Sequence, residues 1–298
     1  MNLPRRLAKR VTAIAGEIYS ILPFPGISSP VFIIGCGRSG TTILGNSLSK
    51  HRRITYLNEP RHLWFSAFPE TDIWTSKAYS RNGKLLLTEA DFDVRKGKKL
   101  SRLFRFATIV ERRPILVEKL PINNFRLNLI HTIFPDARFI HIYRNGLEVA
   151  RSIGRASEGG GWFGANSYKW DMLVNYSRTI DDTKHLPELC ATYHDKGLLE
   201  WRLSTETAVG FLSRLSDAAF LEVSYDEFID DPVGTISRIL EFIGVDRDPK
   251  VETFVSNTVT RKSNKLDLQT ISEKDRIIGG CLLRLSADGG DGLTRRCT

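Results

Sequence analysis

The chain has 298 residues, of which 41% are hydrophobic and 26% charged, so wholesale disorder is excluded and one large α/β domain or two small domains would fit. Lysine and arginine number 43 against 34 acids, a net charge of +9. A surplus of that size points to an anionic partner: nucleic acid, a phosphorylated cofactor, an acidic glycan or a membrane surface.

Residues 1–26 begin like a signal peptide, with a basic start. Glu17, Pro23 and Pro25 interrupt the apolar stretch, and no small-residue cleavage site follows. No run of about 18 apolar residues occurs anywhere, so no transmembrane span is expected. Residues 3–22 read as a leading helix packed on the domain, with a peripheral contact to anionic lipid as the alternative. The expected organisation is a basic helical segment at 1–29, one domain at 30–285 and a flexible tail at 286–298. Cys36, Cys190, Cys281 and Cys297 stand far apart without a C-x-x-C pair. That pattern argues against zinc, redox and disulfide frameworks and for a reducing, cytoplasmic setting.

Strand-like and helix-like patterns alternate from residue 31 onward. Residues 31–35 (VFIIG) form a buried-type strand, followed by a helix over 41–50. A short extended segment at 54–57 precedes a second strand at 115–118, then a helix near 122–134 that Pro135 ends. Residues 138–143 (RFIHIY) lead into a helix from 147 to 153. Residues 167–215 read as inserted helices, and a last strand, 220–224, runs into a helix at 233–243. The alternation predicts a central parallel sheet with helices on both faces and helical insertions, an α/β fold in three layers.

Two anion sites stand out. After the first strand comes Gly35-Cys36-Gly37-Arg38-Ser39-Gly40-Thr41-Thr42, with a helix starting directly behind it. Glycines let backbone N–H groups curl around an anion, and a helix amino end adds partial positive charge. Gly35 and Gly40 keep the register of a Walker A loop, yet Thr41 stands where the lysine belongs, which argues against an ordinary ATPase or GTPase. Arg38 supplies the charge instead. The second site is Arg144 at the end of a buried strand, with Ser152 eight residues later on the next helix, positions that could grip a second phosphate.

With these pieces in this order, residues 30–245 resemble the sulfotransferases that use 3′-phosphoadenosine 5′-phosphosulfate (PAPS), in their bacterial carbohydrate-type and tyrosylprotein-type branch. The resemblance implies a P-loop-like fold. It implies that Gly37, Arg38, Ser39, Gly40, Thr41 and Thr42 hold the 5′-phosphosulfate and that Arg144 and Ser152 hold the 3′-phosphate. Tyr225 would lie near the nucleotide, and Ser263-Asn264-Lys265 resembles a late nucleotide-contacting segment. Ala156 stands where tyrosylprotein enzymes carry an arginine, with Arg155 beside it.

For chemistry, the resemblance favours Glu59 as the base and Lys119 as the contact to the bridging oxygen, with His62 as rival base. Arg38 would also balance charge on the transferring SO₃ group. A carboxylate desolvated in a closed cleft is expected to have a raised pKa. His51, His131 and His141 read as structural. The expected reaction is sulfuryl transfer from PAPS to a hydroxyl of a glycan, glycolipid or related acceptor, with tyrosylprotein sulfation and a non-sulfating nucleotide-binding protein as alternatives. No metal and no nucleic acid is expected. Residues 95–113 carry eight basic residues and one acid; they suit a solvated helix face or a cleft rim attracting an anionic acceptor. Trp64, Trp74 and Trp162 could line a sugar-stacking wall, and the glycines of 158–164 suggest a mobile lid.

Overall fold

Five short runs of apolar and β-branched residues make one sheet: β1 (Val31–Ile34), β2 (Ile54–Asn58), β3 (Ile115–Lys119), β4 (Arg138–Tyr143) and β5 (Phe220–Ser224). The computed structural model describes residues 3–260, 271–285 and 293–296. Strand order is β2-β3-β1-β4-β5 and every pairing is parallel. Parallel neighbours need crossover connections, which helices supply. In chain order these are α1 (Leu3–Ile21), α2 (Thr41–Leu48), α3 (Arg61–Ala67), α4 (Val94–Glu111) and α5 (Leu127–Ile133). Next come α6 (Gly146–Glu158), α7 (Tyr168–Ser177), α8 (Tyr193–Leu212), α9 (Tyr225–Asp230) and α10 (Pro232–Ile243). The last four are α11 (Pro249–Thr258), α12 (Glu273–Gly279), α13 (Leu282–Leu285) and α14 (Leu293–Arg296).

The pleat sends alternate side chains to opposite faces. Phe32, Ile34, Leu116 and Phe139 join one core, shared with residues of α3 to α8. Val31, Ile33, Val117 and Ile140 join the other, shared with α2, α10 and α11. Both faces are covered, so the three-layer expectation holds. The segment expected to be merely extended is a true strand: Ile54 to Asn58 pair with Ile115 to Lys119 along β3.

The helix expected near 122–134 is broken. Residues Pro121–Phe125 form a 3₁₀ turn, and α5 starts only at Leu127. The turn aims two buried amides at polar groups that an α-helix there would leave unpaired. Asn124 Oδ1 accepts the Gly35 N–H at 2.9 Å, and Asn123 Nδ2 donates to Glu118 Oε2 at 3.2 Å. Arg126 is fully buried at the break, and its Nη2 donates to the Thr71 carbonyl at 2.8 Å. In the expected tail, Leu293 of α14 is buried beside Tyr143 and Val209.

The basic stretch at 95–113 is mostly α4, which packs Leu100, Leu103 and Phe104 inward. Several of its cations serve structure: Lys99 donates to the Ser66 carbonyl, Arg102 to the Phe24 and Ser20 carbonyls, and Arg113 to those of Ser49 and Ile54. The three histidines read as structural are held by packing. His51 Nε2 lies 3.0 Å from the Asp246 carbonyl, and His141 Nδ1 lies 3.0 Å from Glu222 Oε1. His131 packs edge-on against Phe211.

Glu118, on β3, points into the apolar face, where Trp64 Nε1 donates to it at 3.0 Å. Burial pushes this carboxyl up to about 8, against the lowering effect of Trp64, Lys119 and Asn123. With a native pKa above the unfolded value, the folded state binds the extra proton between roughly pH 4.5 and 8, so this group's stabilisation is complete below that window and is lost as pH rises through it. The natural chain is expected to show a declining urea midpoint across that window, and Glu118→Gln, neutral throughout, is expected to flatten the decline.

Candidate functional site

In an open α/β sheet, ligands bind beyond the carboxyl ends of the strands, where neighbouring connections part. Here the chain leaves β1 toward β2 on one side and leaves β4 toward β5 on the other. The crevice lies between these departures, and the two predicted anion loops flank it.

The first loop is shaped by close approach. Gly35 has φ +143°, and a Cβ there would lie 2.2 Å from the Ile142 carbonyl oxygen. Gly40 caps α2 in the left-handed region at φ +98°, and its Cβ would fall 2.4 Å from the Tyr225 ring. Between them Arg38 is also left-handed, at φ +75°, an uncommon state for a non-glycine residue. Arg38 is exposed, while Ser39 and Thr41 are buried and Thr42 is exposed beside the cleft.

The second loop comes from Arg144 at the end of β4. The Asn145 side chain caps α6, accepting from Leu147 N at 3.0 Å. The indole of Trp201 donates to the Arg144 carbonyl at 3.1 Å and lies where a Cβ on Gly146 would fall. The Arg144 guanidinium sits 4.1 Å from the centroid of the Tyr225 ring, and its Nε meets Glu148 Oε2 at 2.6 Å. Tyr225 therefore touches both loops. Ser152, one face along α6, accepts from Arg38 Nε at 3.0 Å. The structure thus brings Gly37 to Thr42, Arg144, Ser152 and Tyr225 together at one edge.

Lys119, the last residue of β3, has a fully buried side chain. Its ammonium donates to Thr42 Oγ1 at 3.0 Å and to Glu59 Oε1 at 2.9 Å. Glu59 follows β2 with φ +49°, and its N–H donates to the Lys119 carbonyl at 2.7 Å. Arg61 Nη2 closes the group on Glu59 Oε2 at 2.9 Å. Burial pushes the Glu59 carboxyl up, but Lys119 and Arg61 together outweigh it and hold it below its usual value. The raised pKa expected for Glu59 is therefore corrected: two cations keep this carboxylate ionised. His62 is exposed on α3, has Glu17 as its charged neighbour and is absent from the cleft lining.

A cleft of about 310 Å³ opens over these residues, with Arg38, Thr42, Glu59, Arg61, Trp74 and Trp162 in its walls. Two of the three tryptophans expected there are present. Trp64 is not, because it is fully buried on Glu118. Trp74 is stacked by Arg61, whose guanidinium carbon lies 4.2 Å from the ring centroid. Trp162 rides on a run in which Gly160, Gly161 and Gly164 all have positive φ, and it covers the position a Cβ on Gly37 would take. Its indole donates to Glu200 Oε2 at 2.9 Å, and Lys169 meets Glu200 Oε1 at 2.6 Å.

None of the basic residues of α4 lines the cleft, so the rim expected at 95–113 is not part of it. Ala156 does line it, whereas Arg155 borders a separate groove with Arg151 and Lys196. Ser263, Asn264 and Lys265 lie outside the described residues. Among the described residues no group of three or more metal-ligating side chains occurs. Sequence reasoning missed Arg61, Asn124, Trp201 and the Lys169–Glu200 pair, which carry no motif and become neighbours only through the fold.

A model of the sulfotransferase family matches residues 30–249, and the chain belongs to that family. Over 129 residues the chain is 31% identical to an uncharacterized protein of Aquifex aeolicus, an alignment covering 41% of this chain and 16% of that one. Over 185 residues it is 25% identical to the omega-hydroxy-beta-dihydromenaquinone-9 sulfotransferase Stf3 of Mycobacterium bovis, covering 56% of this chain and 39% of that one. The chain thus spans well under half the length of these curated relatives. The crystal structure of sulfotransferase STF9 from Mycobacterium avium shares the fold, with TM-score 0.50 at 17% identity over 83% of this chain and 71% of that one.

The Lys169–Glu200 pair is buried on both sides, at 5% and 6% side-chain exposure. Removing one partner of such a pair leaves the other charge uncompensated, at a cost of about 3–5 kcal/mol. Glu200→Ala is expected to lose about that much stability in urea unfolding. Lys169→Met with Glu200→Leu should recover most of it.

Proposed function

We propose that this chain transfers a sulfuryl group from PAPS to a hydroxyl of a glycan, glycolipid or related acceptor, with Glu59 as base. The observation that carries this reading is the chain of contacts Thr42–Lys119–Glu59 at the mouth of a glycine loop, in a member of the sulfotransferase family. A nucleotide donor is supported by the loop itself: glycines that tolerate no Cβ, hydroxyls at Ser39, Thr41 and Thr42, and a helix start. Its 5′ end belongs on residues 37–42 and its 3′-phosphate on Arg144 and Ser152, with Tyr225 beside the base or ribose.

The step balances with few parts. The acceptor oxygen attacks sulfur as the bond from sulfur to the 5′-phosphate oxygen breaks. The electron pair leaves with that phosphate, and the hydroxyl proton passes to Glu59. Sulfate ester and 3′,5′-adenosine diphosphate are the products. Charge stabilisation and positioning do most of the work in such transfers. Before reaction Lys119 offsets the Glu59 carboxylate. As that carboxylate takes the proton its hold on Lys119 weakens, which leaves the ammonium to meet charge growing on the leaving oxygen. Arg38 serves the SO₃ oxygens. No metal is required by this scheme.

On the acceptor side, Trp74 and Trp162 line the cleft, each with a cation over its ring (Arg61 and Lys169), and aromatic walls of this kind suit sugar rings. The Mycobacterium bovis relative is named for an omega-hydroxy-menaquinone acceptor, so lipid-borne hydroxyls belong in the same reading. Cys36 and Cys190 are free and buried, which supports a reducing, cytoplasmic setting. Among the described residues no helix is long and apolar enough to cross a membrane.

Glu59→Ala is expected to lower kcat by about 10²–10⁴ while leaving affinity for 3′,5′-adenosine diphosphate near normal; full activity in that variant refutes the base. Arg144→Ala is expected to weaken binding of the same nucleotide about tenfold to a hundredfold by calorimetry, and unchanged affinity refutes the 3′-phosphate assignment. In thermal-shift assays 3′,5′-adenosine diphosphate should stabilise the protein selectively. A response only to ATP or GTP overturns the whole reading.

A further inference from the structure

Most surface helices turn their apolar face inward. Helix α1 does the reverse. Its small and polar face meets the domain: a Cβ on Gly16 would lie 3.1 Å from the Phe106 ring, and Ser20 is buried with its carbonyl taking Arg102 Nη1 at 3.2 Å. Glu17 accepts from Ser66 of α3 and pairs with Lys99 of α4 at 3.0 Å. These contacts fix the helix by one side only.

The opposite side is a stripe. Val11, Ile14, Ile18 and Ile21 follow one another at helical spacing and are 58%, 62%, 53% and 74% exposed. Leu22 beyond the helix is also exposed, and Phe24, stacked on Tyr19, shares a groove with Phe92 and Val94 at the start of α4. Scattered exposed hydrophobics need no explanation, but a contiguous row on a docked helix marks a surface built to be covered. In sequence, Arg5, Arg6, Lys9 and Arg10 precede the stripe with no acid before Glu17. Arg95 and Lys98 are exposed on α4.

We propose that the outward face of α1 docks on an anionic lipid bilayer, the helix lying in the plane of the interface with its stripe in the headgroup and acyl boundary. The apolar row supplies burial, and the cations supply attraction to acidic headgroups. Charge decides between this partner and a second copy of the chain. A second copy would bring the same cation-rich amino-terminal sequence to the contact, while Glu17, the acid of α1, is already engaged by Ser66 and Lys99. The surface is separate from the cleft: none of the stripe residues lines it, and α3 lies between, bonding Glu17 through Ser66 and lining the cleft with Arg61.

The test is sedimentation of the full chain with phosphatidylcholine vesicles made with and without phosphatidylglycerol. Binding is expected with the anionic vesicles and to weaken sharply in high salt. Ile14→Asp with Ile18→Asp, both on exposed positions, should cut partitioning at least about tenfold without moving the unfolding midpoint. Lys9→Ser with Arg10→Ser should cut it about fivefold per cation removed. Failure of the natural chain to bind anionic vesicles overturns the proposal, as does binding that the paired Asp substitutions leave unchanged. A dimer in light scattering that Ile18→Asp dissociates, with no vesicle binding, overturns it in favour of a second copy.

Discussion

A buried ammonium holds the working edge of the sheet together. Lys119 ends β3 with its side chain fully enclosed, a placement that is costly unless the charge is met. Thr42 Oγ1 and Glu59 Oε1 meet it, one from the start of α2 and one from the turn after β2. Glu59 and Lys119 are also tied through the backbone, since the Glu59 N–H donates to the Lys119 carbonyl. Glu59 can hold its left-handed backbone because this closed set of contacts over-determines it. Three neighbouring elements, β2, β3 and α2, are thereby fixed relative to one another where the cleft begins.

The second half of the edge is organised by aromatic contact. Tyr225 lies against Gly40 on one side and under the Arg144 guanidinium on the other, so one ring spaces the two candidate anion loops. Arg38 and Ser152 join the loops again across the crevice. Trp162 covers Gly37 and is itself held by Glu200 and Lys169. Gly35, Gly37 and Gly40 are each demanded by a neighbour that a Cβ would strike. The loop is therefore a packing solution as well as the proposed phosphate cradle.

Much of this was legible in the sequence. β4 and β5 begin and end where the apolar runs do, and α2 starts directly behind the glycine loop at Gly40 as expected. The helix near 122–134 was misjudged because Asn123, Asn124 and Arg126 are recruited by Glu118, Gly35 and Thr71, partners that are distant in sequence. Tertiary hydrogen bonding overrode a local helical pattern there. Trp64 looked like a candidate stacking wall until the pleat of β3 aimed Glu118 at its indole.

By itself the sequence determined the class of fold, four of its five strands and the positions of the two candidate anion loops, because those depend on local periodicity and on glycine stereochemistry. It also fixed the +9 charge that first suggested four kinds of anion. Tertiary structure alone decided where that charge goes. It buried Lys119 in the edge, spent several cations of the 95–113 stretch on backbone carbonyls, and kept the Glu59 carboxyl low through Lys119 and Arg61 instead of high through burial. It also turned the apolar stripe of α1 outward, which periodicity cannot reveal, since an amphipathic pattern specifies a face and not the direction in which that face looks.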